Sequence, residues 1–578
     1  MIPPAIALVA PSALPRALWD SLNVTVGGRL AQGTPVSLPC FNTYDGQSYQ
    51  RNGTACAAVE SGYTSPSFRV ENFGAYMQAS LLFSRTSTSE QCLLDMSNPS
   101  NPQAWTNFNC SQGAIPPYYI EVRSAKDVIA AYAFSEATGV PLTIKNAGHD
   151  YKGRSSLKNS LALWTLNLKG ISYSKTFVPE GCPRHLKYTA MTVGAGMGWA
   201  DVYQYADANN FTAIGGYHQT IGASGGWIMG GGHSVLTPVF GLGVDRALEF
   251  KIVTPDGSVR TANECQNSDL YWALRGGGGG TFGVVLESSS LVEPRTIPLQ
   301  VANLSFPIVG NNTHDWFKIL INNTYKWGTE GWGGHIQGSS LINVTPLLSI
   351  DQAKESLQEV SDYVLSQNGT VVVETLPSWY AFFTKYVLAA EAPVGTEYLL
   401  GTRLMPSSLF QTQTGMEQMY NAILNILPYA YPYIVVGTPF LYNHTAGTTS
   451  VTPAWYNSFW HISARTSFLF NSTLAAKVNA YQLGNQLVQN FYNISPDSGA
   501  YFNEGLVYEP NYQQSYWGPN YDRLLSIKKK YDPLGLLDCW QCGEFPYMFI
   551  QPLVVDSELM FQLGSRVNLT RGILAGLK

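Results

Sequence analysis

The chain reads as an α+β protein built from more than one domain. Helical and strand-like apolar spacing alternate over residues 116–295, and a β-rich stretch with interleaved helices follows over 296–495. Its 578 residues exceed what one hydrophobic core organises, so two or three domains are expected. Glycine crowds into three clusters between 192 and 285, where backbone has to pass close to something large.

Residues 1–115 form a lead-in with little periodic structure. MIPPAIALVAPSALP is apolar, with no basic start and several prolines. It reads as a mature N-terminus carrying a start Met, or as the remnant of a removed signal peptide. The eight cysteines are Cys40, Cys56, Cys92, Cys110, Cys182, Cys265, Cys539 and Cys542, and their even number suggests disulfides. Bridges Cys40–Cys56 and Cys92–Cys110 would staple the lead-in, although spacing alone does not determine pairing. The CWQC at 539–542 is open to two readings, a redox dithiol or a structural bridge. Nothing around it resembles a thioredoxin-like unit, which favours the bridge. No second Cys/His pair has zinc-ligand spacing, so no metal is expected.

SAKDVIAAYAFSEATGVPL (124–142) has helical spacing, and LTI (142–144) is a short strand emptying into KNAGHDYKGR (145–154). At Asn146, Ala147 and Gly148 successive backbone N–H groups are left free, a concavity that suits a pyrophosphate. His149 sits at its edge, although a lone histidine there more commonly caps a turn. SLALWTLNL (160–168) reads as a buried strand. KYTAMTVGAG (187–196) and LEFKIVTPDGSV (248–259) are further strands, the latter turning at Asp256-Gly257. Two subdomains are expected to meet near Cys182. The glycine clusters are TVGAGMGWA (192–200), AIGGYHQTIGASGGWIMGGGHS (213–234) and DLYWALRGGGGGTFGVV (269–285). Tight turns would explain any one of them, whereas three together indicate a large flat or anionic ligand.

Pro294 and Pro298 mark the exit from this region. NGTVVVETLPSWYAFF and YPYIVVGTPFLY then read as strands and NAILNIL as a helix within 296–495. Over 496–545, NYDRLLSIKKKYDP is a helix ended by Asp532-Pro533, leaving 546–578 as a tail.

GHDYKGRSS, GWIMGGGHS, FGLGVDRALEFKIVTPDG and WALRGGGGGTFGVV, in that order, resemble the FAD-binding domain of the vanillyl-alcohol oxidase / p-cresol methylhydroxylase (PCMH) superfamily. Within it the chain is most similar to the berberine-bridge-enzyme-like secreted oxidases of fungi, including the isoamyl alcohol oxidase-like ones. The likeness is strong over roughly 120–295 and good from YFNEG (501–505) through NYDRLLSIKKKYDPLGLL (520–537). Over 296–495 it extends only to general layout. It implies a two-subdomain PCMH-type FAD-binding domain at 116–295 and a substrate domain at 296–495, whose antiparallel sheet, flanked by helices, roofs the flavin. It also implies a berberine-bridge-like return to the FAD domain at 496–545.

In that family the histidine matching His149 is bonded to the 8-methyl carbon of the flavin, so an 8α-histidyl FAD is expected. Many relatives add a cysteine link inside C-P-T-V-G. Here that segment reads His218-Gln219-Thr220-Ile221-Gly222, so a single covalent bond through His149 is expected. His218 would border the flavin or pack among Tyr217 and Trp227. By the same likeness Lys145, Asn146, Ala147, Gly148, Asp150, Tyr151, Ser155 and Ser156 form one side of the cofactor shell. Thr220, Gly222, Ala223, Gly225 and Gly226 form the other, Val284 meets the adenosine half, and Asn503 joins from the C-terminal segment. Alcohol oxidation needs a base for the O–H proton, worth about 10²–10⁴-fold in rate. The family's Y-x-N-Y reads Tyr501-Phe502-Asn503-Glu504, placing Glu504 where the base tyrosine would stand. Burial would raise its pKa toward a useful range. Glu504, Tyr501 and His218 are the candidate catalytic residues, and His233 is read as closing a turn at the domain interface.

The net charge of −5 argues against nucleic acid or another polyanion as partner. Charged residues and aromatics each make up 13%, which fits an exported globular protein with an aromatic-lined pocket. Thirteen Asn-X-Ser/Thr sequons, among them Asn23, Asn52, Asn109, Asn210, Asn303, Asn343, Asn471 and Asn568, favour the secretory route and N-linked glycans. No apolar run is long and clean enough to span a bilayer. The expectation is a secreted, extracellular, monomeric flavoprotein oxidase that oxidises a small alcohol-type molecule and reduces O2 to H2O2. Two other readings stay open: an oxidative cyclase or dehydrogenase of a secondary metabolite, and a non-catalytic glycan-binding or storage protein retaining the fold.

Overall fold

The helix expected before the GHD turn runs Ala125–Thr138. Asp127 accepts from the Ser124 N–H at its start (3.0 Å), and Gly139, at φ 75°, closes it in the left-handed conformation. Its Val128, Ala131 and Tyr132 share one core with a four-stranded sheet. In that sheet Tyr118–Glu121 and Leu142–Lys145 both run parallel to Leu161–Trp164. Leu161–Trp164 is buried on both faces, as interior parallel strands are. The strand stops short of residue 168 because Thr165–Asn167 winds into a 3₁₀ turn. The lead-in is more than an appendage: Leu30–Gln32 adds an antiparallel edge strand to this sheet, and Trp19 stacks on Tyr118 at 4.2 Å. The computed structural model describes residues 9–78, 91–390, 392–507, 509–539 and 541–542; the expected tail 546–578, with its sequon Asn568, lies outside them.

A five-stranded antiparallel sheet follows, ordered Val259–Asn263, Ala247–Val253, Val284–Leu291, Tyr188–Gly194, Ile171–Phe177. Its first two strands join through the expected Asp256-Gly257 turn. The changeover between the two sheets falls at 165–170, ahead of Cys182, which corrects the expectation of a meeting point there. Cys182 instead bonds Cys265 and ties two loops of the second sheet. Cys40–Cys56, Cys92–Cys110 and Cys539–Cys542 are the other disulfides, so CWQC is a bridge.

The third sheet has seven antiparallel strands: Thr370–Leu376, Leu299–Ser305, Ser340–Thr345, Gly333–Gln337, Tyr433–Val436, Ser458–Ser467 and Tyr398–Pro406. Period-two alternation gives it two distinct faces. Ile336, Ile434, Ile462 and Met405 pack into a core with helices Asn312–Thr329, Gln413–Leu424 and Leu474–Ile494. The first of these helices buries Trp316, Phe317, Leu320, Ile321, Thr324 and Trp327, a helical stripe matched to the sheet. On the opposite face His335, Val435, His461 and Leu404 stand directly across from one another on four adjacent strands. That row of cross-strand neighbours roofs the site.

The chain then returns. Tyr501, Phe502, Tyr516 and Trp517 join the core around Trp227 and Trp272, and helix Tyr521–Tyr531 ends before Asp532, whose carboxylate accepts from the Leu536 and Leu537 N–H groups at 2.9 and 3.0 Å. Asn343 is only 2% exposed, so this sequon is no glycan acceptor in the folded chain.

Candidate active site

Residues from the first two sheets, the roof and the 501–504 segment line one cavity of about 490 Å³. The lead-in reaches it too. Met77 and Gln78 line it, the Met77 N–H donates to the Gly148 carbonyl at 3.1 Å, and Thr396 Oγ1 donates to Gln78 at 2.8 Å.

Gly148, at φ 83°, bends the strand into the turn and presents His149 to the cavity. His149 Nε2 pairs with Thr220 Oγ1 at 2.8 Å, and the same hydroxyl lies 3.2 Å from His218 Nδ1. The two imidazoles meet edge to face with centroids 4.8 Å apart. Burial, and then the neighbouring His218, hold His149 well below its ordinary pKa, while burial lowers His218 to about 4. Both rings are neutral at physiological pH. In the tautomer whose Nε2–H donates to Thr220 Oγ1, the nucleophilic lone pair of His149 lies at Nδ1.

The N–H groups of Ala147, Gly148 and His149 have no acceptor among the described residues. Arg154 lines the cavity nearby. Its Nε donates to Cys542 Sγ at 3.1 Å, its plane covers Phe502 at 4.2 Å, and Nη1 is buried without a partner. Burial lowers this guanidinium to about 10, so it stays charged. Three unsatisfied N–H groups and an under-satisfied cation beside glycine-lined walls fit the diphosphate of FAD. Gly222 shows how tight those walls are: a Cβ there would lie 1.9 Å from Asn146 Oδ1. Asn146 itself donates to Thr165 Oγ1 and the Ala195 carbonyl at 2.8 and 2.7 Å.

Asp150 and Ser155 line the cavity as expected, and the Asp150 carboxylate also accepts from the N–H groups of Lys152, Gly153 and Ser155 and from the Ser155 hydroxyl, so both side chains organise the turn. Other expected shell residues act otherwise. Lys145 is absent from the lining. Its ammonium donates to the carbonyls of Phe73 and Ala75, each at 2.6 Å, and binds the lead-in to the first sheet. Ser156 and Ala223 are buried outside the lining, and Thr220 acts through His149. Asn146, Ala147, Gly148, Tyr151, Gly225, Gly226, Val284 and Asn503 do border the cavity.

Asn503 Nδ2 donates to the His149 carbonyl at 3.0 Å, which fastens the 501–504 segment to the histidine turn. Glu504 follows directly, with Oε1 3.8 Å from His233 Nε2 and Oε2 3.8 Å from His461 Nδ1. Burial alone would raise its carboxyl, but His233, His461 and His335 together hold it below its ordinary value. The expected upward shift is therefore reversed, and Glu504 is a carboxylate. His233 likewise proves to be part of the site and more than a turn. Burial, reinforced by Glu504, raises the Tyr501 phenol, which leaves it a proton donor. His335 pairs with Tyr433 Oη through Nδ1 at 2.6 Å, and burial lowers it to about 3. His335, His461, Tyr433 and Arg154 were not singled out in the sequence. Alternation within YPYIVVG, which sets Tyr433 and Val435 opposite the core face, was the one available signal for the roof.

A family model described as FAD binding domain matches residues 116–263, and one described as berberine and berberine-like matches 500–538. The chain is 40% identical to the FAD-linked oxidoreductase ffsJ of Aspergillus flavipes, over 91% of each chain. It is 39% identical to the FAD-linked oxidoreductase OXR2 of Pyricularia oryzae, over 93% of each. Among solved structures it is similar to the VAO-type flavoprotein MtVAO615 of Myceliophthora thermophila C1 (TM-score 0.80, 27% identity, 93% of this chain and 97% of that one). It also shares the fold of a glucooligosaccharide oxidase of Acremonium strictum (TM-score 0.62, 19% identity, 75% and 93%), a protein that carries a 6-S-cysteinyl, 8α-N1-histidyl FAD. With the His149 turn, the glycine walls and the berberine-like return all in place, the chain belongs to the FAD-linked oxidoreductases of the vanillyl-alcohol oxidase/PCMH type with a berberine-like C-terminal segment.

Proposed function

We propose that this FAD-linked oxidoreductase is a secreted, glycosylated oxidase of an alcohol-type small molecule, with FAD held by one covalent bond at His149 and O2 reduced to H2O2. FAD, when bound, supplies the two-electron oxidising chemistry. The observation that carries the reading is the Asn503–His149 bond, which brings an ionised carboxylate, Glu504, into the cavity that His149 borders. Glu504 accepts the substrate hydroxyl proton as the adjacent C–H bond breaks. Tyr501, kept protonated, donates to the substrate oxygen. Ala147, Gly148, His149 and Arg154 hold the diphosphate, and Met77, Val387 and Val394 wall the cavity from water.

His149 attaches through Nδ1, the nitrogen that Thr220 leaves available. With His218 at the position of the second family link, that bond is the single one. Four disulfides accord with an oxidising compartment. No helix among the described residues is long and apolar enough to cross a membrane.

The test is a peroxide-coupled screen of primary and secondary alcohols, followed by stopped-flow flavin reduction of Glu504→Gln with the best hit. Reduction slower by about 10²–10⁴-fold, with substrate binding little changed, is expected of a lost base. Unchanged reduction would place the base elsewhere.

A further inference from the structure

The groups around Glu504 converge without bonding one another. Its two oxygens stand 3.8 Å from His233 Nε2 and 3.8 Å from His461 Nδ1, beyond hydrogen-bond reach, and the three ligand atoms lie within 4.8 Å of one another. Ligand atoms of a tetrahedral ion bonded at about 2.0–2.1 Å sit roughly 3.3 Å apart, so a small inward rotation of each side chain would close such a shell. His461 is 2% exposed, and neither of its ring nitrogens has a hydrogen-bond partner. A buried imidazole left so is destabilising unless something else takes its lone pair.

We propose that His233, His461 and Glu504 form a binding site for a divalent first-row transition ion such as zinc. Two imidazoles and one carboxylate are a donor set for such ions, and three protein ligands leave a further position for a small molecule. His233 and Glu504 line the cavity, so that position opens toward it. The ligands are held from outside. The His233 carbonyl accepts from Trp227 Nε1 at 3.0 Å, its ring lies parallel to Trp455, and His461 is fixed by strand pairing on both sides. They come from positions 233, 461 and 504, on a glycine loop, a roof strand and the C-terminal return, so an ion there would staple three distant segments. That dispersal is why no ligand spacing is visible in the sequence. The other convergent sets among the described residues consist of disulfide cysteines with one glutamate each and offer no free thiolate.

Occupation carries a consequence for the reaction. A Glu504 carboxylate bonded to the ion is a much weaker base, so loading slows alcohol oxidation. That corollary rests on the proposed role of Glu504, whereas the binding itself does not.

Purified flavin-loaded protein, treated with chelator and dialysed, is titrated with zinc chloride by calorimetry, and bound metal is counted by emission spectroscopy. A single tight ion per chain is expected, with anomalous scattering at the zinc edge between His233 and His461. Supporting groups around a metal are alone worth about 10–100-fold in affinity, so His233→Ala and His461→Gln should each weaken binding by at least about 100-fold. His233 sits on a loop, so its variant keeps the test alive if His461→Gln does not fold. No bound zinc, or undiminished affinity in folded His233→Ala, overturns the site. Binding without inhibition leaves the site standing and removes Glu504 as the base.

Discussion

Gly222 gives a sharp test of how the cofactor wall is built. Its φ lies outside the left-handed region, so the backbone itself tolerates alanine. The obstacle is steric: the new Cβ would lie 1.9 Å from Asn146 Oδ1, and beyond that side chain its nearest neighbour is the Ala195 carbonyl at 3.5 Å, an ordinary contact. Gly222→Ala must therefore expel Asn146 and break its bonds to Thr165 Oγ1 and the Ala195 carbonyl. Two such bonds lost with partners left unpaired cost about 1–1.5 kcal/mol each, and forcing a methyl into a packed wall adds about 1–3 kcal/mol. Alanine recovers about 0.4–1 kcal/mol through the unfolded chain, so the net loss is about 2–5 kcal/mol.

The decisive measurement is a double-mutant cycle. Wild type, Gly222→Ala, Asn146→Ala and the double variant are unfolded in urea, followed by tryptophan and flavin fluorescence. In the Asn146→Ala background the clash is gone, so Gly222→Ala should be neutral or slightly stabilising, giving a coupling of about 2–5 kcal/mol. Because each kcal/mol moves the midpoint of a 150–250-residue unit by about 2–4 °C, the single variant should also melt at least about 4 °C lower. Equal costs in both backgrounds would refute the claim that this glycine exists to make room for Asn146.

Three other outcomes are expected. His149→Ala should release all its flavin on acid precipitation, and flavin remaining with the pellet would place the tether at another residue. His218, His335 and His461 are buried neutral, with pKa lowered by burial to about 4, 3 and 4. Each folded value lies below the unfolded one of about 6.5, so this stability is complete above pH 6.5 and is lost as pH falls toward the folded pKa, at up to about 1.4 kcal/mol per pH unit per histidine. Urea midpoints should thus drop between pH 6.5 and 4.5, less steeply in His335→Gln, and a flat profile would contradict the burial. The acid limb of flavin reduction should lie below the ordinary carboxylate value because, against burial, His233 first and then His461 and His335 lower Glu504. His461→Gln should move that limb upward, and a limb that stays put would show that the histidine does not govern the carboxylate.

What the sequence made legible was local. The helix within 124–142, which runs Ala125–Thr138, the strand into the GHD turn and the Asp256-Gly257 hairpin each depend on residues a few positions apart. The glycine clusters were half legible. Gly222 and Gly225 crowd Asn146 at the cavity wall, whereas a Cβ on Gly196 would meet the Leu166 carbonyl at 2.0 Å, a demand of chain crossing and not of a ligand. The roof was illegible because strand register creates it: His335, Val435 and His461 are a hundred and twenty-six positions apart end to end, yet stand side by side. Lys145 was misplaced for a related reason, since a motif conveys adjacency to a cofactor but not which way a charge turns.

The two departures from the family pattern, His218 and Glu504, stand at opposite flanks of the His149 turn and are each made tolerable by groups the motif does not contain. His218 takes the place of a sulfur without carrying charge, because burial keeps it neutral and Thr220 engages its Nδ1. Glu504 replaces a phenol with a carboxyl that would protonate in so dry a position. Its pKa is held down first by His233, in the second glycine cluster, and then by His461, from the roof, once that ring takes up a proton. A tyrosine at 504 would pair with an imidazole through its hydroxyl, as Tyr433 does with His335, but would bring no charge between the two histidines. The charged centre of the site therefore depends on the carboxylate, and exchanging Glu504 for the family's tyrosine should abolish an acid limb of flavin reduction below the ordinary carboxylate value.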